Sequence, residues 1–217
     1  DDYCYYKHDI TRARSTHFSN SISGELNSTY HTKNGQIGVG LEYRNEQINS
    51  TSIKQHTREN VGLYAEYKTD LTPKLNVNLG TYVNYNSQYG WQFFPGIDAS
   101  YSINSNLKLI ANAGTSQRIP SFTDLYLDQR PGNIGNPNID SEKAFQTEIG
   151  FKFHQSNWNF NAYYFYRNIS NFIDWVRQTT DEPWQANNFG DLRTNGINSK
   201  ITYLHSINAN QSLKFSI

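Results

Sequence analysis

The chain has 217 residues with 19 basic and 19 acidic side chains, so its formal net charge is zero. This balance gives no global positive field, which argues against binding of RNA or DNA through arginine and lysine. No apolar run approaches the roughly 18 residues of a membrane-spanning helix, but the polar average does not exclude strands that cross a membrane, because only alternate residues of such strands meet lipid.

Cys4 is the single cysteine, so the chain forms no internal disulfide and no metal site built from several cysteines. An acidic pair, Asp1 and Asp2, stands where a secretory signal peptide would have basic and apolar residues. We expect the chain to be a mature segment or a piece of a larger exported protein, with residues 1–16 forming an external loop or a strand end.

Hydrophobic residues recur at every second position from Phe18 onward, which predicts strands with one apolar and one polar face. The pattern indicates an antiparallel meander of ten strands of about 11 residues, the length that a tilted strand needs to cross a bilayer. The apolar positions of these strands span residues 18–30, 37–43, 61–67, 75–85, 97–103, 107–113, 145–153, 158–166, 197–203 and 213–217.

The connections between the predicted strands alternate in length. Short turns are expected near residues 31–35, 69–74, 104–106, 154–157 and 206–211, with longer connections between them. Asn34-Gly35 is a strong hairpin signal. Short turns on one side and long loops on the other are typical of a barrel in the bacterial outer membrane.

Charged residues within the predicted strands all fall on the polar parity. A charge that faces lipid at the middle of the bilayer costs about 2–4 kcal/mol, so their absence from the apolar face favours a membrane barrel over a soluble antiparallel sheet protein. Aromatic residues on the apolar parity occur near both ends of the strands, as expected for belts at the two headgroup levels. They are Tyr30, Tyr67, Tyr101, Phe153, Trp158 and Tyr203 near the short turns, and Phe18, Tyr43, Tyr85 and Tyr166 at the opposite ends.

The segment from Arg118 to Gly150 interrupts the alternation. Pro120 and Pro137 cannot donate ladder hydrogen bonds, and Gly135 and Asn136 favour turns, so the segment is predicted to leave the sheet as a long ordered loop. The order of its residues resembles a late β-barrel motif of TonB-dependent outer-membrane receptors. The matching residues are Arg118, Pro120, Ser121, Phe122, Asp124, Leu125, Tyr126, Gly135, Asn136, Pro137, Glu142, Lys143, Glu148 and Gly150, with departures at Ser141 and Ala144.

The resemblance implies an all-β fold in which residues 1–217 form part of a single 22-stranded transmembrane β-barrel, with the N-terminal plug and the remaining strands absent. The motif residues are interpreted mainly as structural. Arg118 and Glu148 lie on the polar parity of adjacent predicted strands, so we expect them to pair with each other or with a plug.

Two loop clusters are candidates for ligand binding, because aromatic and charged groups together suit a large polar ligand. The first lies within Asn171–Asn188, which resembles a stretch of receptors of the cobalamin-transporter type from Bacteroidetes. The candidates are Asp174, Trp175, Arg177 and Trp184 in that stretch, and Tyr89 and Trp91 in the second cluster. For both clusters the alternative is an interfacial belt or self-packing of the loop.

Enzymatic and metal-dependent functions have little support in the sequence. The six histidines show no pair at metal-site spacing, and no nucleophile or phosphate-binding motif is present. Asp124 and Asp128 are weak candidates for calcium ligands. We therefore predict that the chain has no catalytic residues, no metal site and no cofactor, and that the protein is not an enzyme.

The family resemblance implies a receptor in the cell outer membrane of a Gram-negative bacterium that imports a scarce nutrient. Its partners would be outer-membrane lipid, the TonB complex through the missing N-terminal region, a small-molecule nutrient and a surface lipoprotein. The expected substrate is cobalamin or another corrinoid, and the alternative is a ferric siderophore. Two other classes stay open: a self-contained ten-stranded outer-membrane protease or lipid hydrolase, and a structural or adhesive barrel.

Overall fold

A computed structural model describes residues 2–4, 14–209 and 211–217 of the chain. The described residues form fifteen strands and one short helix, α1 (Phe122–Tyr126). The strands are β1 (Asp2–Cys4), β2 (Arg14–Thr32), β3 (Gly35–Ser50), β4 (Lys54–Thr72), β5 (Leu75–Asn86), β6 (Gly90–Ser102), β7 (Leu107–Arg118), β8 (Asp128–Gln129), β9 (Asn133–Ile134), β10 (Glu142–Gln155), β11 (Trp158–Ser170), β12 (Ile173–Val176), β13 (Trp184–Asn188), β14 (Leu192–Asn208) and β15 (Gln211–Ser216). The described part of the chain contains no helix that is long and apolar enough to span a membrane.

Eleven strands form one antiparallel sheet in the order β1-β2-β3-β4-β5-β6-β7-β10-β11-β14-β15. Ten of them are the predicted meander, so the strand number, order and direction are confirmed. The eleventh, β1, pairs with the start of β2 through Asp2 and Thr16, inside the segment expected to be a loop or a strand end. The long connections β7–β10 and β11–β14 hold the remaining elements, including a small sheet of order β12-β13-β9-β8.

The two faces of the large sheet differ as the alternation predicts. On the apolar face, large side chains such as Leu26 (74% exposed) and Ile197 (77% exposed) are not covered by any other described residues. An apolar surface of this extent is unfavourable in water and is expected where lipid covers a strand. Charged side chains such as Glu42, Glu66 and Glu148 lie on the opposite, polar face.

Aromatic side chains form contacts at both ends of the apolar face. At the end that carries the short turns, the rings of Trp158 and Tyr203 lie 4.5 Å apart between centroids. At the other end, here called the loop end, the rings of Tyr85 and Trp91 lie 5.2 Å apart. Three residues of the predicted aromatic belts, Tyr85, Trp158 and Tyr203, therefore contact another aromatic ring on a neighbouring strand.

The five predicted short turns are present, but the prediction of long connections between them is wrong at two places. β3 and β4 are joined by residues 51–53 alone, and β5 and β6 by residues 87–89. β3 to β6 continue past the apolar stripe, because backbone hydrogen bonds between strands form whether the side chains are apolar or polar. Beyond Tyr43 the same face of β3 is polar, and the Gln47 amide donates to Asn45 Oδ1 at 2.8 Å.

The predicted hairpin near residue 34 also differs in detail. The turn consists of Lys33 and Asn34, and Gly35 is already the first residue of β3. A side chain at Gly35 would collide with the backbone carbonyl of Lys68 on β4. The glycine is therefore required by a close approach of two strands rather than by the turn conformation.

The sheet splits between β6 and β7 at the loop end. Their pairing runs from Ser102 and Lys108 to Gly96 and Gly114 and then stops. Residues 90–95 stay paired with β5, and residues 115–118 stay paired with β10. Pro95, at the point of divergence, has no N–H group to extend the β6–β7 ladder.

The apolar face predicts how the sheet tolerates charge. Ile97→Arg places a guanidinium in the middle of the apolar face of β6, and we expect it to lower the free energy of unfolding by about 2–4 kcal/mol in lipid. Ser100→Arg, on the polar face of the same strand, is the control and should cost less than about 1 kcal/mol. Urea unfolding of the full-length protein in lipid vesicles measures both, and equal losses would show that the Ile97 face does not meet lipid.

Candidate functional site

Arg118 forms the central ion pair at the loop end. It is the last residue of β7, and its guanidinium binds Glu142, the first residue of β10, through two hydrogen bonds of 2.9 and 2.7 Å. Such a two-point pair fixes the orientation of both side chains. Glu142 Oε1 also accepts a hydrogen bond of 2.9 Å from the backbone N–H of Ile173. The Glu142 carboxylate therefore links the end of the β7–β10 loop to the start of the β11–β14 loop.

Asp124 joins the same network from the short helix. Arg118 Nη1 lies 3.3 Å from Asp124 Oδ2, which also accepts the backbone N–H of Ser121 at 2.9 Å. The Ser121 hydroxyl in turn accepts the backbone N–H of Asp124 at 3.1 Å. This reciprocal pair is a capping box, which satisfies donors at the start of α1 that have no partner within the helix.

The expected pairing of Arg118 with Glu148 is wrong. In the register of β7 and β10, Arg118 lies opposite Glu142, and Glu148 lies opposite Asn112. The Asn112 amide donates to Glu148 Oε2 at 3.2 Å. Glu142 and Glu148 both lie on the polar face. The strand register determines which of the two is opposite Arg118.

The long connections fold into a compact unit, called here the loop cap and comprising residues 119–141 and 171–191. Its core consists of Leu125, Ile139, Ile173 and Ala186, each less than 10% exposed. Trp175 and Tyr126 pack against this core. The loop cap therefore has its own hydrophobic core, separate from the large sheet.

Several residues of the motif have structural roles in the loop cap. A side chain at Gly135 would lie 2.6 Å from the backbone of Leu125 and Tyr126, so this position excludes every other residue. Asn136 donates to the side chain of Asn187 at 3.1 Å, which joins the two connections. The following residue, Pro137, lies in the adjoining turn.

The loop cap also rests on the loop end of β4. Arg58 binds Glu46 at 2.7 Å and donates to the carbonyl of Pro120 at 2.8 Å, and its guanidinium lies 4.8 Å from the ring centre of Phe122. His56 stacks on Tyr126 with 3.7 Å between ring centroids. Neither Arg58 nor His56 was predicted from the sequence to contact the loop cap, although Arg58 has the parity of the polar face.

Beside the loop cap, the polar face contains a depression of about 300 Å³. Asn60, Asn84 and Gln92 line it and are each less than 10% exposed. One amide atom of each has no hydrogen-bond partner within the described residues: Asn60 Nδ2, Asn84 Oδ1 and Gln92 Nε2. Unpaired buried amide atoms are costly, so these three side chains form a strained polar cluster beneath the depression. These amides were not predicted from the sequence as site residues, although their parity places them on the polar face.

Three arginines line the same depression, and each has a nearby carboxylate. Arg44 lies 3.4 Å from Glu46, which also binds Arg58, while Arg118 binds Glu142. The depression is therefore rich in amides but lacks a group of uncompensated cations. Such a surface favours a neutral ligand with many hydrogen-bonding groups over a multiply charged anion.

The structure brings four of the six predicted ligand-binding residues together in the β12–β13 hairpin. Trp175 packs on the core of the loop cap. Arg177 lies 4.8 Å from the ring centre of Trp184, which is 42% exposed. Asp174 is exposed, and its carboxylate accepts the N–H of Trp175. Arg177 and Trp184 thus present an exposed cationic and aromatic pair.

The other two predicted residues are separated from that hairpin. Tyr89 lies between β5 and β6, and its hydroxyl donates to the Ile139 carbonyl of the loop cap at 3.1 Å. Burial raises the pKa of Tyr89 above its ordinary value. Trp91 is 75% exposed on the apolar face against Tyr85, a placement that favours the alternative of an aromatic belt.

No group of three or more histidine, cysteine, aspartate or glutamate side chains suited to a metal ion occurs in the part of the chain that the structure describes. The two aspartates considered as calcium ligands have other contacts. Asp124 belongs to the Arg118 network, and Asp128 lies 3.4 Å from Arg130.

Loss of the central ion pair should loosen the loop cap. In Arg118→Ala we expect the segments around α1 and β12 to lose about 1–3 kcal/mol of protection from hydrogen exchange, since Arg118 is half exposed and solvent screens part of the interaction. Arg130→Ala removes the exposed pair with Asp128 and is the control. Equal exchange in the two variants would contradict a central role of Arg118.

The same pair predicts a dependence on pH. Glu142 lies beyond the apolar stripe of β10, and the hydrogen bonds from Arg118 hold its pKa below the ordinary value of 4.5. A lowered pKa in the folded state gives stability that is present above the ordinary value and is lost as the pH falls through the lowered value. We expect protection of residues 173–176, corrected for intrinsic exchange, to fall in acid below about pH 4.5. Glu142→Gln should have low protection that does not change over this range, and an unchanged acid response in that variant would assign the effect to another group.

Comparison with known proteins relates this architecture to outer-membrane receptors. The chain is 28% identical over 172 residues to the vitamin B12 transporter BtuB of Photobacterium profundum, which covers 75% of this chain and 27% of that protein. It is 24% identical over 190 residues to the ferric enterobactin receptor PirA of Pseudomonas aeruginosa, which covers 70% of this chain and 26% of that protein. The chain therefore spans about a quarter of the length of these relatives.

Solved structures share the fold. The siderophore receptor PirA from Pseudomonas aeruginosa superposes with a TM-score of 0.74 at 22% identity, over 94% of this chain and 43% of that one. The ferric enterobactin receptor PfeA from the same organism, in a mutant bound to enterobactin, superposes with a TM-score of 0.75 at 16% identity, over 93% and 35%. The model of the family described as "TonB dependent receptor-like, beta-barrel" matches residues 3–215, so the chain belongs to the β-barrel domain of TonB-dependent outer-membrane receptors.

Proposed function

We propose that the protein is an outer-membrane receptor that imports a large scarce nutrient with energy from the TonB complex. The observation that carries this proposal is the position of the loop cap. It is fixed by Arg118 and Glu142 at one end of the barrel wall and lies beside a depression on the polar, lumen-facing side. A ligand captured by the exposed hairpin would therefore be held next to the lumen through which import must pass.

Cobalamin or a related corrinoid is the substrate that the surface chemistry favours. Cobalamin carries many amide groups and little net charge, and the amide side chains of Asn60, Asn84 and Gln92 line the depression. A ferric enterobactin complex is multiply anionic, whereas Arg44, Arg58 and Arg118 are already close to carboxylates. The identity to a vitamin B12 transporter supports the same choice, and the siderophore receptors among the relatives keep a ferric siderophore as the second candidate.

The exposed pair Arg177 and Trp184 is the first candidate for ligand contact in the loop cap. An aromatic ring and a guanidinium together suit a large ligand with both flat and polar surfaces. In this proposal Trp175 anchors the hairpin because it packs on the core of the loop cap. The exposed carboxylate of Asp174 accepts the backbone N–H of Trp175. The lumen-facing amides provide a second contact surface.

Isothermal titration calorimetry of the full-length protein in detergent tests the substrate. We expect tight binding of cyanocobalamin and weaker or no binding of ferric enterobactin as the parallel titrant. Trp184→Ala should weaken cobalamin binding about tenfold, equivalent to about 1.4 kcal/mol. Trp158→Ala, at the short-turn end of the apolar face, should leave the affinity unchanged.

The results of the titrations distinguish the receptor proposal from the substrate proposal. A folded protein that binds ferric enterobactin and not cyanocobalamin would overturn the corrinoid proposal and leave the receptor proposal intact. A folded protein that binds neither ligand would overturn both named substrates. Equal loss of affinity in the Trp184 and Trp158 variants would remove the hairpin from the proposed contact surface.

A further inference from the structure

Three lysines lie in one row across the polar face of the sheet, toward the short-turn end. Lys108 on β7 is paired in register with Lys152 on β10. Asn161 on β11 lies between Lys152 and Lys200 on β14 at the same level. Adjacent strands are about 4.8 Å apart, so the three lysines span roughly 15 Å of the barrel wall. They are called here the lysine row.

The lysine row has no acidic partner among the described residues. β7, β11 and β14 contain no aspartate or glutamate, and β10 contains only Glu142 and Glu148. Glu148, the nearer of the two, lies about 13 Å along the strand from Lys152 and accepts the amide of Asn112. None of the three lysines forms an ion pair within the described chain. Like charges directly opposite each other destabilise a sheet, so the facing ammonium groups favour binding of an anionic group.

The cations at the two ends of the sheet differ in type. Every described arginine lies in the loop-end half of its strand or in the loop cap, where Arg118 makes its two-point contact with Glu142. The lysine row and the turn residues Lys33 and Lys74 lie toward the short-turn end. A guanidinium binds a carboxylate in a fixed orientation, whereas a lysine ammonium is a point charge on a flexible stem. The lysine row therefore suits carboxylates that approach the wall in more than one orientation.

We infer that the lysine row is a docking surface for an acidic segment of the same protein that lies outside residues 1–217. The row is on the lumen-facing side of the wall, and the chain spans about a quarter of the length of its relatives. Large barrels of outer-membrane transporters have a plugged lumen. Unpaired ammonium groups in a filled lumen are costly, so the filling segment has to bring carboxylates to this level. The inference rests on the receptor function proposed above and does not depend on which nutrient is imported.

The spacing of the lysine row constrains the partner segment. Lys108 and Lys152 are on adjacent strands, so one carboxylate can bind both ammonium groups. Lys200 is two strands from Lys152, about 10 Å away, and needs a second carboxylate. Alternate side chains of an extended segment lie about 7 Å apart, and the flexible lysine stems can close the difference. A segment with two acidic residues on one of its faces therefore fits the row.

Lysine acetylation and carbodiimide cross-linking of the full-length protein in detergent, without nutrient, test the inference. The three lysines of the row and Lys33 are all exposed in the described residues, so a difference in labelling requires a further occupant. Acetylation by a water-soluble succinimidyl ester should be about tenfold slower in the row than at Lys33. The carbodiimide joins only ammonium and carboxylate groups in direct contact, and it should link the row to a segment outside residues 1–217 that peptide mass spectrometry identifies.

Charge reversal tests whether the contact is electrostatic. In the double variant Lys108→Glu and Lys152→Glu, Lys200 should be acetylated as fast as Lys33, because the acidic segment is repelled. Lys74→Glu, in a turn at the same end, is the matched control and should leave Lys200 protected. Circular dichroism checks that both variants keep the sheet.

The outcomes separate this inference from the nutrient proposal. Acetylation of the row at the rate of Lys33 in the unaltered protein would overturn the inference. Protection without a cross-link, or cross-links only within residues 1–217 or to a second protein, would overturn it as well. Protected and cross-linked lysines in a protein that binds no nutrient would support the docking surface and contradict only the substrate proposal.

Discussion

Hydrogen bonding of the backbone is the constraint on which the rest of this structure depends. Lipid offers no partners to N–H and C=O groups, so a strand that crosses a membrane must satisfy them through its neighbours. The antiparallel ladders between β2 and β15 do this for the strands that have a neighbour on each side. Side chains then alternate between the two faces, and charged residues in the middle of the strands, such as Glu42 and Glu148, lie on the polar face. Low average hydrophobicity and a lipid-facing surface are therefore compatible in one chain.

At the loop end the chain extends beyond the lipid-facing apolar stripe, where backbone groups no longer need a neighbouring strand. Beyond the apolar stripe the ladder between β6 and β7 stops, and the long connections build the loop cap with its own core. Arg118 and Glu142 join the large sheet to the loop cap. Arg118 is the last residue of β7, Glu142 is the first residue of β10, and both bind groups of the loop cap. Several residues of the motif, among them Arg118, Gly135 and Glu142, thus make contacts that hold the loop cap together or join it to the sheet.

The sequence was sufficient for features that depend on local periodicity. A period of two predicted ten strands, their order and five turns. It did not predict the short connection at residues 51–53, since the polar residues before it carry no apolar alternation. Parity placed Arg118 and Glu148 on one face, but the strand register sets Arg118 opposite Glu142 instead. The core of the loop cap joins residues from two separate connections, which no local pattern reveals.

The most direct test of this account is the accessibility of β6 in a lipid bilayer. Nitroxide labels are placed one at a time at residues 97–101 of the full-length protein, in a background in which Cys4 is replaced by serine, and their collisions with oxygen and with a water-soluble nickel chelate are compared. The account predicts high oxygen accessibility at Ile97, Ala99 and Tyr101, and low oxygen accessibility at Asp98 and Ser100. Accessibility that does not alternate, or that is aqueous at every position, would contradict a membrane-spanning strand with one lipid-facing side.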